Sequence, residues 1–191
     1  MEKPILFLNA CARKDSRTRQ LADQLLAALD RPFAEVRLCE SGFPVVDECF
    51  LGMRDRLIAA EDYGDPVFSL ARQFAEAECI VIAAPYWDLS FPAALKQYFE
   101  QINVVGISFR YTEAGVPVGL CRAKRLFYVT TAGGYYVPEE FGFGYVKALA
   151  QNYYGIQDVR LLEAVGLDIA GADVQAILRD AAAKIPDMLA D

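Results

Sequence analysis

Five short apolar runs alternate along the chain with segments in which apolar residues recur at helical spacing. The runs are almost uninterrupted, which is typical of strands buried on both faces of a parallel sheet. They cover residues 4–9, 34–39, 79–84, 125–131 and 159–165. The helical patterns cover residues 21–29, 54–77 with a break near 63–66, 93–103, 141–153 and 172–189. The alternation predicts one α/β domain over residues 1–191, with a doubly wound parallel five-stranded sheet of order 2-1-3-4-5.

A ligand site is expected where three strands of this sheet end. Doubly wound sheets bind ligands at the carboxyl ends of their strands, near the point where the strand order reverses. For the order 2-1-3-4-5, these ends belong to the first, third and fourth strands. The segments that follow them are residues 9–18, 85–89 and 131–135. We therefore interpret these three loops as parts of one site.

The first loop has the chemistry of a phosphate site. Asp15, Ser16, Arg17 and Thr18 stand just before the first helix, where backbone N–H groups are free and the helix dipole is positive. Asp15 or Ser16 alone also suits an ordinary helix cap, and the sequence leaves that alternative open. The loop lacks the GxxxxGK[ST] and GxGxxG patterns of triphosphate and dinucleotide sites. It predicts a pocket for a single phosphate.

The second loop supplies flat side chains. Pro85, Tyr86, Trp87, Asp88 and Leu89 follow the third strand, and Trp87 is the only tryptophan of the chain. A planar heterocycle fits against such a wall. The alternative is that these aromatic side chains cap the core or pack on a partner subunit.

The third loop brings backbone close to the same crevice. Thr131, Ala132, Gly133 and Gly134 follow the fourth strand, and two adjacent glycines let a ligand approach the main chain. An ordinary turn would have the same composition. One phosphate pocket beside aromatic and glycine loops fits flavin mononucleotide (FMN) better than a nucleoside triphosphate.

Composition narrows the function further. The chain has no histidine, which excludes a Ser-His-Asp triad and histidine metal sites. Its net charge of −7 argues against nucleic-acid binding. Five cysteines without a CxxC pair indicate neither a zinc site nor a disulfide framework. Residues 1–20 carry charges instead of a signal-peptide core, and no apolar run is long enough for a bilayer, so we expect a cytoplasmic protein without membrane contact.

Several motifs together resemble one enzyme family. They are residues 16–21 (SRTRQL), 84–88 (APYWD), 95–99 (LKQYF), 109–115 (FRYTEAG) and 131–134 (TAGG). Their order and spacing are similar to those of the FMN-dependent NADH:azoreductase branch of the flavodoxin-like NAD(P)H:quinone oxidoreductases. The proline-aromatic loop that leads through LKQYF into FRYT is the most specific of these elements.

The resemblance implies a flavodoxin-like fold, FMN as cofactor and NADH or NADPH as co-substrate. It implies a homodimer that reduces a quinone or azo acceptor, with Ser16 and Thr18 at the FMN phosphate. The substrate cavity would involve Tyr111, Tyr135 and Tyr136. The implied cofactor-binding residues are Ala10, Ser16, Arg17, Thr18, Pro85, Tyr86, Trp87, Asp88, Leu89, Thr131, Ala132, Gly133 and Gly134.

Three positions depart from the family pattern. Ala10 stands where many relatives have a hydroxyl residue, Asp88 where they often have asparagine, and Ala132 where some have arginine. A carboxylate near a flavin would lower its reduction potential, so Asp88 matters most. These departures keep open a flavin-less interaction protein of the same fold. The main alternative to the enzyme is a flavodoxin-like electron carrier.

Overall fold

Five parallel strands form the central sheet of the computed structural model, which describes residues 4–190. Their spatial order is β2-β1-β3-β6-β7, which confirms the predicted order 2-1-3-4-5 once a separate hairpin, β4-β5, is set aside. The strands are β1 (Ile5–Asn9), β2 (Phe33–Arg37), β3 (Cys79–Ala83), β4 (Phe109–Tyr111), β5 (Pro117–Gly119), β6 (Arg125–Thr131) and β7 (Asp158–Ala164).

Seven α-helices lie among the described residues and cover both faces of the sheet. Short 3-10 turns at Leu38–Glu40 and Pro66–Phe68 and a π-helical turn at Ala150–Tyr154 extend or precede some of them. In residues 4–190 no helix has the length and apolar character needed to cross a membrane. The helices are α1 (Arg17–Leu29), α2 (Glu48–Ala59), α3 (Ser69–Glu76), α4 (Ala93–Ile102), α5 (Phe143–Leu149), α6 (Val174–Ala182) and α7 (Ile185–Leu189).

The pleat of the sheet divides the core into two clusters. Successive side chains of a strand point to opposite faces, and every residue of β1 and β3 is buried. Even-numbered residues such as Leu6, Ile80 and Tyr128 pack on the side of α3, α4 and α5. Odd-numbered residues such as Phe7 and Val81 pack on the side of α1, α6 and α7. Burial on both faces explains why these strands read as continuous apolar runs.

Three local expectations differ from the structure. Phe109–Tyr111 forms strand β4 of a hairpin, whereas the sequence pattern predicted no strand between residues 103 and 125. Helix α2 begins at Glu48, before the helical pattern that was expected from residue 54, because the Asp47 side chain caps it by accepting from the amide of Phe50. The closing helix is divided into α6 and α7, and Pro186 lies in the first turn of α7.

A glycine allows the hairpin to pack against the π-helical turn. A Cβ placed on Gly119 would lie 2.1 Å from the carbonyl carbon of Tyr154 and 2.2 Å from the amide nitrogen of Gly155. Both atoms belong to the main chain, so no side-chain rotation could relieve the overlap. The close approach of strand β5 to this turn therefore requires glycine at position 119.

We expect Gly119→Ala to lower the free energy of unfolding by about 2 kcal/mol or more, because the backbone must shift to accommodate the methyl group. Gly52→Ala is the matched control, since it lies within α2 and a Cβ there meets nothing within 4 Å. That control should be neutral or stabilising by up to about 1 kcal/mol. Urea denaturation of the two variants checks this. Equal stability of both variants would contradict the close packing.

Candidate functional site

A cavity of about 460 Å³ lies at the carboxyl ends of β1, β3 and β6. Its size falls in the range of about 300–1,000 Å³ that is usual for small-molecule sites. All three loops singled out from the sequence contribute to its wall, and so does a fourth loop, which follows β7. The lining residues are Ala12, Arg13, Lys14, Asp15, Ser16, Arg17, Thr18, Pro85, Tyr86, Trp87, Thr131, Ala132, Gly133, Leu167 and Asp168.

Ser16 is the N-cap of helix α1. Its backbone is extended, and its Oγ accepts a hydrogen bond of 3.3 Å from the amide of Arg19. The amide of Gln20 donates to the carbonyl of Ser16, which leaves the amides of Arg17 and Thr18 without an acceptor inside the helix. Both residues line the cavity. The cap uses the amide of Arg19, so it leaves the amides of Arg17 and Thr18 available to an anion in the cavity.

Thr18 and Thr131 connect the first loop to the third. Their hydroxyl oxygens lie 2.6 Å apart, and the pair is buried. A hydroxyl both donates and accepts, so one proton serves this contact and the other remains available for a different acceptor. The pair fixes the end of β6 against the first turn of α1.

Arg17 links the phosphate-type loop to the loop after β7. Its Nη1 lies 2.6 Å from Oδ1 of Asp168 and 3.3 Å from the carbonyl oxygen of Leu167. Both side chains of the ion pair are more than one third exposed, so the pair contributes little to stability. The pair matters for the charge of the cavity. Three cationic side chains, those of Arg13, Lys14 and Arg17, line it together with the two carboxylates of Asp15 and Asp168.

The loop after β7 is held to the third loop by main-chain hydrogen bonds. The amides of Gly166, Leu167 and Asp168 donate to the carbonyls of Gly134, Ala132 and Gly133 at 3.0, 3.2 and 2.9 Å. A Cβ at Gly133 would lie 2.3 Å from an oxygen of Asp168. Glycine at position 133 thus gives Asp168 room to reach the cavity wall.

The aromatic loop contains a tight turn in an unusual conformation. The amides and carbonyls of Trp87 and Ser90 exchange two hydrogen bonds, of 3.1 and 2.7 Å, around Asp88 and Leu89. Both central residues have positive φ, 51° and 65°, which is the pattern of a type I′ turn. Leucine is poorly suited to this region. The turn stores strain beside the cavity while it orients Trp87.

The rest of that loop is tied to β6. The amide of Tyr86 donates to the carbonyl of Thr131 at 3.0 Å, which brings the second and third loops together. Burial, and to a smaller degree the nearby Tyr136, raise the pKa of Tyr86. Its hydroxyl is therefore a proton donor at neutral pH.

The structure gathers nine of the predicted cofactor-site residues around the cavity and leaves four outside its wall. Ala10 is fully buried beneath the site, and Asp88 and Leu89 project on the strained turn. The nine lining residues are Ser16, Arg17, Thr18, Pro85, Tyr86, Trp87, Thr131, Ala132 and Gly133, and the four others are Ala10, Asp88, Leu89 and Gly134.

The three tyrosines assigned to the substrate side are exposed and lie outside the lining of this cavity. Tyr111 stands on β4, and a side-chain hydrogen bond with Tyr153 raises its pKa. Tyr135 lies close to Gly166, and Tyr136 lies near Tyr86. Tyr135 and Tyr136 are exposed beside the site, at 68% and 78% exposure.

Sequence reasoning missed Leu167 and Asp168. The signal was present, because Gly166, Leu167 and Asp168 follow the fifth predicted strand, whose carboxyl end lies at the same edge of the sheet. Arg13 and Lys14 also line the cavity and were not assigned to the site from the sequence. Their approach depends on the path of the first loop, which no local pattern specifies.

The described residues at this edge of the sheet offer little nucleophilic or metal-ion chemistry. Burial raises the pKa of Cys11 to about 11, so this thiol stays protonated and is a poor nucleophile at neutral pH. Within residues 4–190, no cluster of three or more cysteine, aspartate or glutamate side chains has a metal-site arrangement. The site therefore offers binding and orientation for a bound group more than side-chain catalysis.

Comparison with known proteins agrees with this geometry. A family model described as "Flavodoxin-like fold" matches residues 3–189. This chain belongs to the flavodoxin-like family. A Coprothermobacter proteolyticus protein named FMN-dependent NADH:quinone oxidoreductase is 34% identical over 189 residues, with 93% of each chain covered. The family shown is thus the one that the sequence motifs resemble.

Two further relatives define the extent of the similarity. FMN-dependent NADH:quinone oxidoreductase 2 of Clostridium acetobutylicum is 44% identical over 119 residues, and this match spans 60% of the present chain and only 58% of that protein. The crystal structure of an azoreductase from Bacillus anthracis str. Sterne superposes with a TM-score of 0.84 over 98% of both chains, at 22% identity. The structural likeness shows the shared fold.

We expect Leu89→Gly to raise the free energy of unfolding by about 1 kcal/mol, because glycine adopts positive φ without strain. Leu51→Gly is the matched control: Leu51 is similarly exposed but lies in helix α2, where glycine costs about 1 kcal/mol. Urea denaturation should therefore shift the two variants in opposite directions. A loss of stability in Leu89→Gly would show that the leucine side chain outweighs the strain.

Proposed function

We propose that this chain is an FMN-dependent oxidoreductase that transfers hydride from a nicotinamide to a quinone or azo acceptor. The observation that carries the proposal is the convergence of free helix-end amides, aromatic side chains and exposed main chain around one cavity of about 460 Å³. The names of the relatives from Coprothermobacter and Clostridium support FMN as cofactor, NADH as donor and a quinone as acceptor.

The phosphate end of FMN fits the first turn of α1. The amides of Arg17 and Thr18 point out of the helix, where the dipole favours an anion. The Ser16 hydroxyl accepts from Arg19 and keeps its own proton for a phosphate oxygen. Arg13 and Lys14 add positive charge in a chain whose overall charge is −7. These groups suit one phosphate monoester.

The ring end fits the opposite wall. Tyr86 and Trp87 offer aromatic surface, while Thr131, Ala132 and Gly133 offer main chain with little side-chain bulk. Such a wall binds a flat, polar-edged heterocycle by contact area and by backbone hydrogen bonds. Asp88 lies outside the lining, so we propose that Asp15 and Asp168 influence the bound group more than Asp88 does.

Bound FMN would supply the hydride chemistry, as flavins do in other proteins. The residues of this chain would bind and orient it and would not themselves form covalent intermediates. This division of labour is compatible with a chain that contains no histidine. The protonated Tyr86 hydroxyl and the exposed Tyr111, Tyr135 and Tyr136 are the groups that we assign to the acceptor side.

We further propose a cytoplasmic homodimer in which these tyrosines approach the partner subunit. Exposed apolar side chains support an interface, among them Val105, Tyr111, Val116 and Tyr145. Five unpaired thiols fit a reducing compartment. Sedimentation of the purified protein measures the oligomeric state directly.

Turnover tests the function. Under anaerobic conditions, NADH or NADPH should bleach the absorbance of bound FMN within seconds, and a benzoquinone or an azobenzene dye should restore it. Reduction only by a separate reductase protein would indicate an electron carrier. Failure to bind FMN at all would contradict the proposal and favour an interaction protein.

Asp168 gives a sharper test of the phosphate end. We expect Asp168→Asn to tighten FMN binding by roughly two- to tenfold, because it removes a negative charge that competes for Arg17. Asp180→Asn makes the same change at an exposed position of α6 and should leave the affinity unchanged. Fluorescence titration with FMN checks both variants. Weaker binding in Asp168→Asn would instead assign Asp168 the role of holding Arg17 in place.

A further inference from the structure

A second cavity, of about 210 Å³, lies between the end of β6, β7 and the segment 137–143. It shares a single residue, Tyr86, with the larger cavity. The function proposed above does not involve this second cavity. Its lining residues are Tyr86, Tyr128, Thr130, Val137, Pro138, Glu139, Phe141, Phe143, Leu161 and Glu163.

Strand register explains why polar groups enter this cavity. Tyr128 pairs with Leu161, and Thr130 pairs with Glu163, across the parallel strands β6 and β7. Residues two apart on a strand share one face, so all four belong to the face that α5 covers. Towards the carboxyl end of that face, Thr130 and Glu163 replace the apolar residues found further down.

Three hydroxyl groups at this cavity lack hydrogen-bond partners among the described residues. They are those of Tyr86, Tyr128 and Thr130. Tyr128 and Thr130 are only 1% and 3% exposed. A buried polar group without a partner costs about 1–3 kcal/mol. Two such groups beside an open volume indicate that a polar occupant completes them.

The charge of the lining residues favours a positively charged occupant. Glu139 and Glu163 are the charged residues of the lining, and both are acidic. Lys147 lies 3.9 Å from a carboxylate oxygen of Glu139 and so compensates that side chain from outside the cavity. Within residues 4–190, the side chain of Glu163 makes neither an ion pair nor a hydrogen bond. Glu163 therefore provides an uncompensated negative charge.

Aromatic side chains form much of the remaining wall. Phe143 and Tyr128 have ring centroids 5.8 Å apart, and Phe141 and Tyr86 are the other two aromatic residues of the lining. The aliphatic part of the wall consists of Val137, Pro138 and Leu161. Aromatic faces attract cations, most strongly where water is excluded. In volume, the cavity resembles one of about 150 Å³ that holds benzene, so a single ring with a short polar group would fill it.

We propose that this cavity is a binding site for a small primary ammonium compound that carries one aromatic ring. An ammonium group has three N–H donors, and the Tyr128 hydroxyl, the Thr130 hydroxyl and the Glu163 carboxylate are three acceptors in the lining of the cavity. The ring would lie among the aromatic walls. The site is distinct from the proposed FMN cavity and does not depend on it, although Tyr86 forms part of both.

Calorimetric titration of the whole protein with benzylammonium tests the proposal, with benzyl alcohol and benzoate as neutral and anionic counterparts of similar size. We expect one benzylammonium per chain and at least about tenfold weaker binding of the other two. Trp87, the only tryptophan, follows Tyr86 and provides a fluorescence signal for the same event. No saturable binding, or equal binding of all three probes, would overturn the proposal. In the absence of binding, water alone would occupy the cavity, whereas equal binding would show that the cavity does not select an ammonium group.

Two variants locate the binding. Glu163→Gln should weaken benzylammonium at least about tenfold, and Thr130→Val should weaken it severalfold. Glu113→Gln removes an exposed carboxylate elsewhere and should change nothing. Unchanged binding in Glu163→Gln would place the probe elsewhere and overturn the assignment. Far-UV circular dichroism of each variant monitors folding, and if both variants unfold, the discrimination among the three probes by the unaltered chain decides.

Discussion

Parallel pairing of every strand in the main sheet is the constraint on which the site depends. Because β1, β3, β6 and β7 run in the same direction, their carboxyl ends meet at one edge. The chain leaves β1 and β3 towards opposite faces, so a crevice opens between their ends. Helix α1 starts in that crevice, and its unpaired amides become part of the wall. Loops distant in sequence thus supply one cavity.

Hydrogen bonds between the loops fix their positions relative to one another at this edge of the sheet. The Thr18–Thr131 hydroxyl pair, the contact of Tyr86 with Thr131, and the strand-like pairing of residues 166–168 with residues 132–134 join the four loops. The buried sheet beneath supplies rigidity. The type I′ turn at Asp88 and Leu89 is strained, and such strain is tolerated where the surrounding structure fixes the chain on both sides. Here that support comes from the Trp87–Ser90 bonds.

The sequence allowed the strands and the sheet order to be predicted because burial on both faces leaves a strong apolar signal, as in β1 and β3. It also located three of the four loops. The hairpin at Phe109–Tyr111 escaped notice because its strands are short and partly exposed. Asp168 was not predicted because its contribution arises from tertiary pairing with Gly133. The unpaired hydroxyls of Tyr128 and Thr130 could not be predicted either, because their environment depends on the register of β6 and β7.

The central claim is that the first turn of α1 binds a phosphate monoester, and the affinity ratio of FMN to riboflavin measures it most directly. The two molecules differ only in that phosphate. Two or more charge-assisted hydrogen bonds, each contributing about 1.5–3 kcal/mol, predict that FMN binds at least about 100-fold more tightly than riboflavin. Equal affinities in a fluorescence titration would contradict the assignment of this helix end.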